Sequence, residues 1–234
     1  MADQLYLSLW YPNFRLDALP AALTGVLKQF ARIAQSDVPD NAKPGETRDD
    51  LGRVAVATAY PLDWTESPTY QRIYVNDKRA DDTPDTRASV IDDAVAEATQ
   101  QLHDDTAYEF EMRWLLWLPN PAGKKTEDED TTWTQQPWRV KLTGFGPEFD
   151  KGSFEQNGHI RVDFGLDTPW VLDEASLPEV EARTAADRIR NNVEKLLAFT
   201  LSVEKHCGIS SRLLWTESGE PLAEKLIATL QRLN

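Results

Sequence analysis

The sequence predicts an α+β protein: an antiparallel or mixed sheet of about seven strands with four helices. Three observations carry that expectation. Segments such as "QLYLSLWY" (4–11) and "AYEFEMRWLLWL" (107–118) alternate apolar with other residues, the period of a strand. Other segments repeat apolar residues every three or four positions, the period of a helix with one buried stripe; the longest runs from 176 to 207. Finally, residues 1–118 read β-α-β-β-α-β, the order of a ferredoxin-like sandwich. The expected organisation is a ferredoxin-like α+β unit at 1–118 and a second α+β unit at 119–234, with a single shared sheet as the alternative.

Strand 1 sets Leu5, Leu7 and Leu9 against Tyr6, Ser8 and Trp10, and Pro12-Asn13 stops it. Asp17 is the expected N-cap of the first helix, with Pro20 in its first turn, where a missing N–H costs nothing. Leu19, Leu23, Val26, Leu27, Phe30 and Ile33 form its stripe. Residues 35–52 read as a polar loop. "RVAVATAY" (53–60) and "TYQRIYV" (69–75) follow as strands 2 and 3, joined through "PLDWTESP". Residues 88–104 read as a second, weaker helix facing inward through Ile91, Val95, Ala98 and Leu102.

Strand 4 (107–118) is apolar at Tyr108, Phe110, Met112, Trp114, Leu116 and Leu118, and opposes to them Glu109, Glu111, Arg113, Leu115 and Trp117. Residues 119–137 read as a loop with an acidic run. Strands 5 and 6 follow at 138–145 and 159–166, linked through the turn signal Asn157-Gly158. The long helix opens on the capping box Ser176-Leu-Pro-Glu179. Its stripe is Ala182, Ala186, Ile189, Val193, Leu196, Thr200, Val203 and Cys207, with Gly208 as the C-terminal cap. Strand 7 is "SRLLWTE" (211–217), and Pro221 opens a final helix.

Two echoes cross this order: "LWxPN" at 9–13 and 116–120, and "WTES" at 64–67 and 215–218. A duplicated β-α-β unit would produce both. Chance matches, together with proline's habit of ending strands, explain them more simply.

Composition bounds the function. A net charge of −14 repels nucleic-acid phosphate and suits a basic protein partner. The single cysteine, Cys207, forms no internal disulfide, and "MADQLYLSLWYPN" lacks the pattern of a secretory signal; both point to the cytoplasm. No apolar run is long enough for a membrane helix. Catalytic patterns are thin. Cys207 belongs to an apolar stripe, His103, His159 and His206 lack ligand spacing, and "GFGPEF" is no phosphate loop. Neither a metal nor a cofactor is expected, and the oligomeric state is either monomer or homodimer.

One surface stands out. If helices cover the apolar faces of strands 4, 5 and 6, the opposite faces project together. The expected binding residues are Glu109, Glu111, Arg113, Arg139, Lys141, His159 and Arg161, flanked by Trp10 and Trp117. Cross-strand charge pairing alone would account for such a face. As a recognition surface it implies an acidic interaction protein, immunity- or inhibitor-like, engaging a basic protein. The alternative is a small-molecule-binding protein or enzyme with a Trp-lined pocket at the sheet face.

Overall fold

The computed structural model describes residues 2–35, 55–59, 70–74, 84–119, 133–149, 157–171 and 179–218. The chain enters as β1 (Gln4–Trp10), turns through a short 3-10 segment at Leu16–Ala18 and forms α1 (Leu19–Gln35). Next come β2 (Ala55–Ala59), β3 (Tyr70–Tyr74), α2 (Pro84–Ala98), β4 (Ala107–Pro119), β5 (Trp133–Phe145), β6 (Ile160–Leu166), α3 (Glu179–His206) and β7 (Ser211–Thr216).

The strands form one sheet in the order β3-β2-β4-β5-β6-β1-β7, and every neighbouring pair is antiparallel. This order corrects the expected fold. A ferredoxin-like unit would set β1 among β2, β3 and β4, whereas β5 and β6 stand between them here. Five strands carry described side chains, β4-β5-β6-β1-β7, and the five-residue segments β2 and β3 extend them past β4. Among the described residues there are three helices rather than four. The expected helix after Pro221, the capping box at Ser176 and the first "WTES" lie outside the described residues. The two "LWxPN" stretches close β1 and β4, which are not neighbours in the sheet.

The buried face matches the alternation read from the sequence. Leu5, Leu7 and Leu9 of β1, Phe110, Met112, Trp114 and Leu116 of β4, Val140 and Leu142 of β5, and Ile160, Val162 and Phe164 of β6 are all buried. Onto them α1 places Leu19, Leu23, Val26, Leu27 and Phe30, and α3 places Ile189, Val193, Leu196, Phe199 and Val203. The centre is a tryptophan-rich aromatic cluster. The Phe30 ring stacks on Trp114 at 4.4 Å and 6°, and Phe199 meets both edge-on. Trp114, Phe164, Trp170 and Trp138 continue the chain of rings toward β5. Gly144 lets α1 come close: a Cβ there would sit 2.8 Å from Leu19 Cδ1 and 2.9 Å from Leu23 Cδ2.

Three boundaries differ from expectation. Asp17 lies in the 3-10 turn and pairs with Arg15 at 3.5 Å instead of capping α1. The second helix covers 84–98, so Leu102 lies beyond its end. β5 begins at Trp133, ahead of Pro137. Proline is tolerated there because β6 pairs only with Lys141–Gly144, so among the described residues the earlier part of β5 has no partner strand on that side.

Beyond Glu111, β4 has no partner strand on its β2 side among the described residues. Helix α3 fills the gap with side chains. The Asn192 amide accepts a hydrogen bond from the Trp117 N–H (2.9 Å) and donates to the Trp117 (2.9 Å) and Pro169 (2.8 Å) carbonyls. Lys195 Nζ donates to the Leu115 carbonyl. An exposed strand edge is a template for unwanted pairing, and these contacts occupy it.

Candidate functional site

The strand alternation that buries the even residues of β4 turns its odd residues to the other side of the sheet. The same rule applies to β5 and β6, so Glu109, Glu111, Arg113, Arg139, Lys141, Arg161 and Asp163 share one face. Tyr6 and Ser8 of β1, and Leu213 and Trp215 of β7, continue it. The three described helices pack against the opposite, apolar face.

On this outer face Glu111 stands directly opposite Lys141, and Arg113 opposite Arg139. The ion pairs, however, run diagonally. Arg139 Nε meets Glu111 Oε1 at 3.0 Å, and Lys141 Nζ meets Glu109 Oε1 at 3.5 Å. Strand twist favours one diagonal, and long side chains reach along it. These groups remain partly exposed, so each pair stabilises the fold by no more than about 1 kcal/mol.

Arg161 is held differently. Its guanidinium carbon lies 5.3 Å from the Tyr6 ring centroid and 5.2 Å from that of Phe145. Its Nε is buried and has no hydrogen-bond partner. The nearby Asp163 carboxylate is engaged elsewhere: Oδ1 accepts from Gln4 Nε2 at 2.6 Å and from the Gly165 N–H at 2.8 Å. Tyr6 packs on Trp215 at 4.7 Å, and Trp215 Nε1 donates to the buried Ser8 Oγ at 3.0 Å. Burial raises the Tyr6 pKa, so its hydroxyl stays protonated.

Of the two flanking tryptophans, Trp10 ends β1 on the outer side by alternation, opposite Ser211. Trp117 is drawn to the α3 edge, where the Arg188 guanidinium carbon lies 3.6 Å from its ring centroid. A cleft of about 370 Å³ opens there, lined in part by Trp117, Gln135, Asn191, Glu194 and Lys195. His159 precedes β6 and stacks on Phe14 at 4.3 Å, while its Nδ1 accepts from the Tyr11 N–H at 3.0 Å. Desolvation lowers its pKa to about 4, so the ring is neutral at pH 7.

Tyr6, Phe145 and Trp215 were missed as members of the site. Alternation places each on its own strand face, but nothing in the sequence says that β1 inserts between β6 and β7. Elsewhere reactive groups are subdued. Burial pushes the Cys207 thiol up to about 11, which leaves little thiolate. Among the described residues no group of three or more His, Cys, Asp or Glu side chains is placed to hold a metal. Nor does any described helix have the length and apolarity needed to cross a membrane.

The fold and this face define an α+β protein with helices on one side of an antiparallel sheet and a mixed-charge, aromatic-flanked surface on the other. No known protein family, no curated protein and no solved structure matches the chain.

Proposed function

We propose that the chain is an acidic interaction protein of the cytoplasm, immunity- or inhibitor-like, whose outer sheet face docks a net-basic protein. The observation that carries this reading is the convergence of Glu109, Glu111, Arg139, Lys141 and Arg161, from three neighbouring strands, on the face opposite the helices. The two scales of charge play separate parts. The net charge of −14 steers a basic protein from a distance and repels nucleic acid. Close up, the alternating acids and bases fix register. Glu109 and Glu111 keep lone pairs beyond those used by their sheet neighbours, and so can accept a partner's lysine or arginine. Tyr6, Trp215 and Arg161 are residue types that anchor interfaces.

A small-molecule site is the second reading, favoured by the cleft beside Trp117. It is the weaker one because Asn192 and Lys195, on the cleft wall, spend their hydrogen bonds on the β4 backbone.

Affinity capture with the immobilised chain tests the first reading. The captured protein is expected to be basic, to be released between about 50 and 300 mM salt as screening shortens, and to be lost with Glu109→Gln/Glu111→Gln. Capture that ignores both salt and the double variant contradicts it.

A further inference from the structure

We infer that Arg161 is a receiving point for a carboxylate side chain of the docked protein, an inference that rests on the proposed function. Three observations lead there. Tyr6 and Phe145 lie within 5.3 Å of the guanidinium carbon, a range in which the ring quadrupole attracts the cation. The buried Nε–H has no acceptor among the described residues, so nothing there balances the guanidinium charge, and a carboxylate reaching the partly exposed remainder of the side chain would do so. Among the described residues no carboxylate pairs with Arg161: Glu109 meets Lys141, Glu111 meets Arg139, and Asp163 turns Oδ1 to Gln4 and Gly165.

A guanidinium flanked by rings keeps the N–H edge of its two terminal nitrogens for hydrogen bonding, and that fork matches two carboxylate oxygens. The source of the carboxylate follows from charge. A free anion approaches against the field of a chain at −14. An aspartate or glutamate carried on a net-basic protein does not, because the surrounding lysines and arginines outweigh it. The occupant is therefore an acidic side chain set within a basic surface.

The test is an NMR titration of the ¹⁵N-labelled full chain, following the Arg161 Nε–H resonance, assigned by its loss in Arg161→Gln. Three probes are added at equal concentration: acetate, acetyl-Lys-Lys-Asp-Lys-Lys-amide and acetyl-Lys-Lys-Asn-Lys-Lys-amide. The Asp peptide is expected to move the resonance and to bind about tenfold tighter than the Asn peptide, the worth of one charge-assisted hydrogen bond. That gap is expected to vanish in Arg161→Gln and to shrink in Arg161→Lys, which keeps the charge but loses the fork. Equal affinities for the two peptides, or a gap that survives Arg161→Gln, overturn the role of Arg161 and leave the docking face standing. An acetate shift as large as that of the Asp peptide overturns the protein-borne source. Absence of binding by either peptide overturns the docking face and this inference with it.

Discussion

On the helix-covered face of the sheet, Phe30, Trp114, Phe164 and Phe199 meet at ring separations between 4.4 and 6.1 Å, all fully buried. On the opposite face of the same strands, Arg139 and Glu111 meet at 3.0 Å with the arginine half-exposed. One residue of register separates these environments: Val140 is buried and Arg139 is exposed. The apolar face carries the stability of the fold because every ring removed from water adds to it and leaves a hole when deleted. The ion pairs of the polar face contribute little to stability, because water competes for each of them. Charged positions that the fold does not depend on are free to serve recognition.

Substitutions sharpen that contrast, beginning with the largest effect. Trp114→Ala opens a cavity in the ring cluster and is expected to destabilise the fold by about 3–5 kcal/mol, measured by urea unfolding. Asn192→Ala leaves the Trp117 N–H and the Trp117 and Pro169 carbonyls without their partner, and is expected to cost about 2–3 kcal/mol. An Asn192→Ala variant as stable as the parent would show that the β4 edge does not need α3.

His159 supplies a pH signal at the end of the sheet. Its pKa is about 4 in the folded chain, against 6.5 for the ordinary side chain, so the unfolded state takes up the proton first as pH falls. The stability tied to neutral His159 is complete above about pH 6.5 and drains away toward pH 4. Discounted for a half-exposed ring, the loss between pH 7 and 5 is about 1 kcal/mol. His159→Asn is expected to abolish that loss while keeping an acceptor for the Tyr11 N–H. Smallest of all, Arg139→Ala is expected to change stability by less than about 1 kcal/mol. A larger loss would mean that the outer face is structural after all.

Much of this division was legible from alternation alone. Leu5-Leu7-Leu9 and Phe110-Met112-Trp114 declare their buried side, and the α3 stripe from Ala186 to Val203 is buried in full. Strand order was not legible. The position of β1 between β6 and β7 depends on long-range pairing, for which no local residue pattern codes. Pro137 concealed the first half of β5 because its tolerance rests on β6 pairing no earlier than Lys141, a long-range feature. Within α3 the four-three stripe omitted Phe199 and Asn192, which are buried because the helix lies against both the ring cluster and the β4 edge. At the site, Glu109, Glu111, Arg139 and Lys141 were assigned to one face from sequence. His159 and Trp117 went elsewhere because aromatic stacking and the α3 edge claimed them.

Thiol accessibility measures the two faces most directly. In a Cys207→Ser background, single cysteines at Arg139, Thr143, Val140 and Leu142 are reacted with a disulfide reagent under native conditions. The cysteine replacing Arg139 is expected to react at a rate near that of a free thiol, and the one replacing the partly buried Thr143 somewhat more slowly. Those replacing Val140 and Leu142 are expected to react only as the fold opens, slower by several orders of magnitude. Protection of the first pair equal to that of the second would show the outer face to be covered and would contradict a docking surface there.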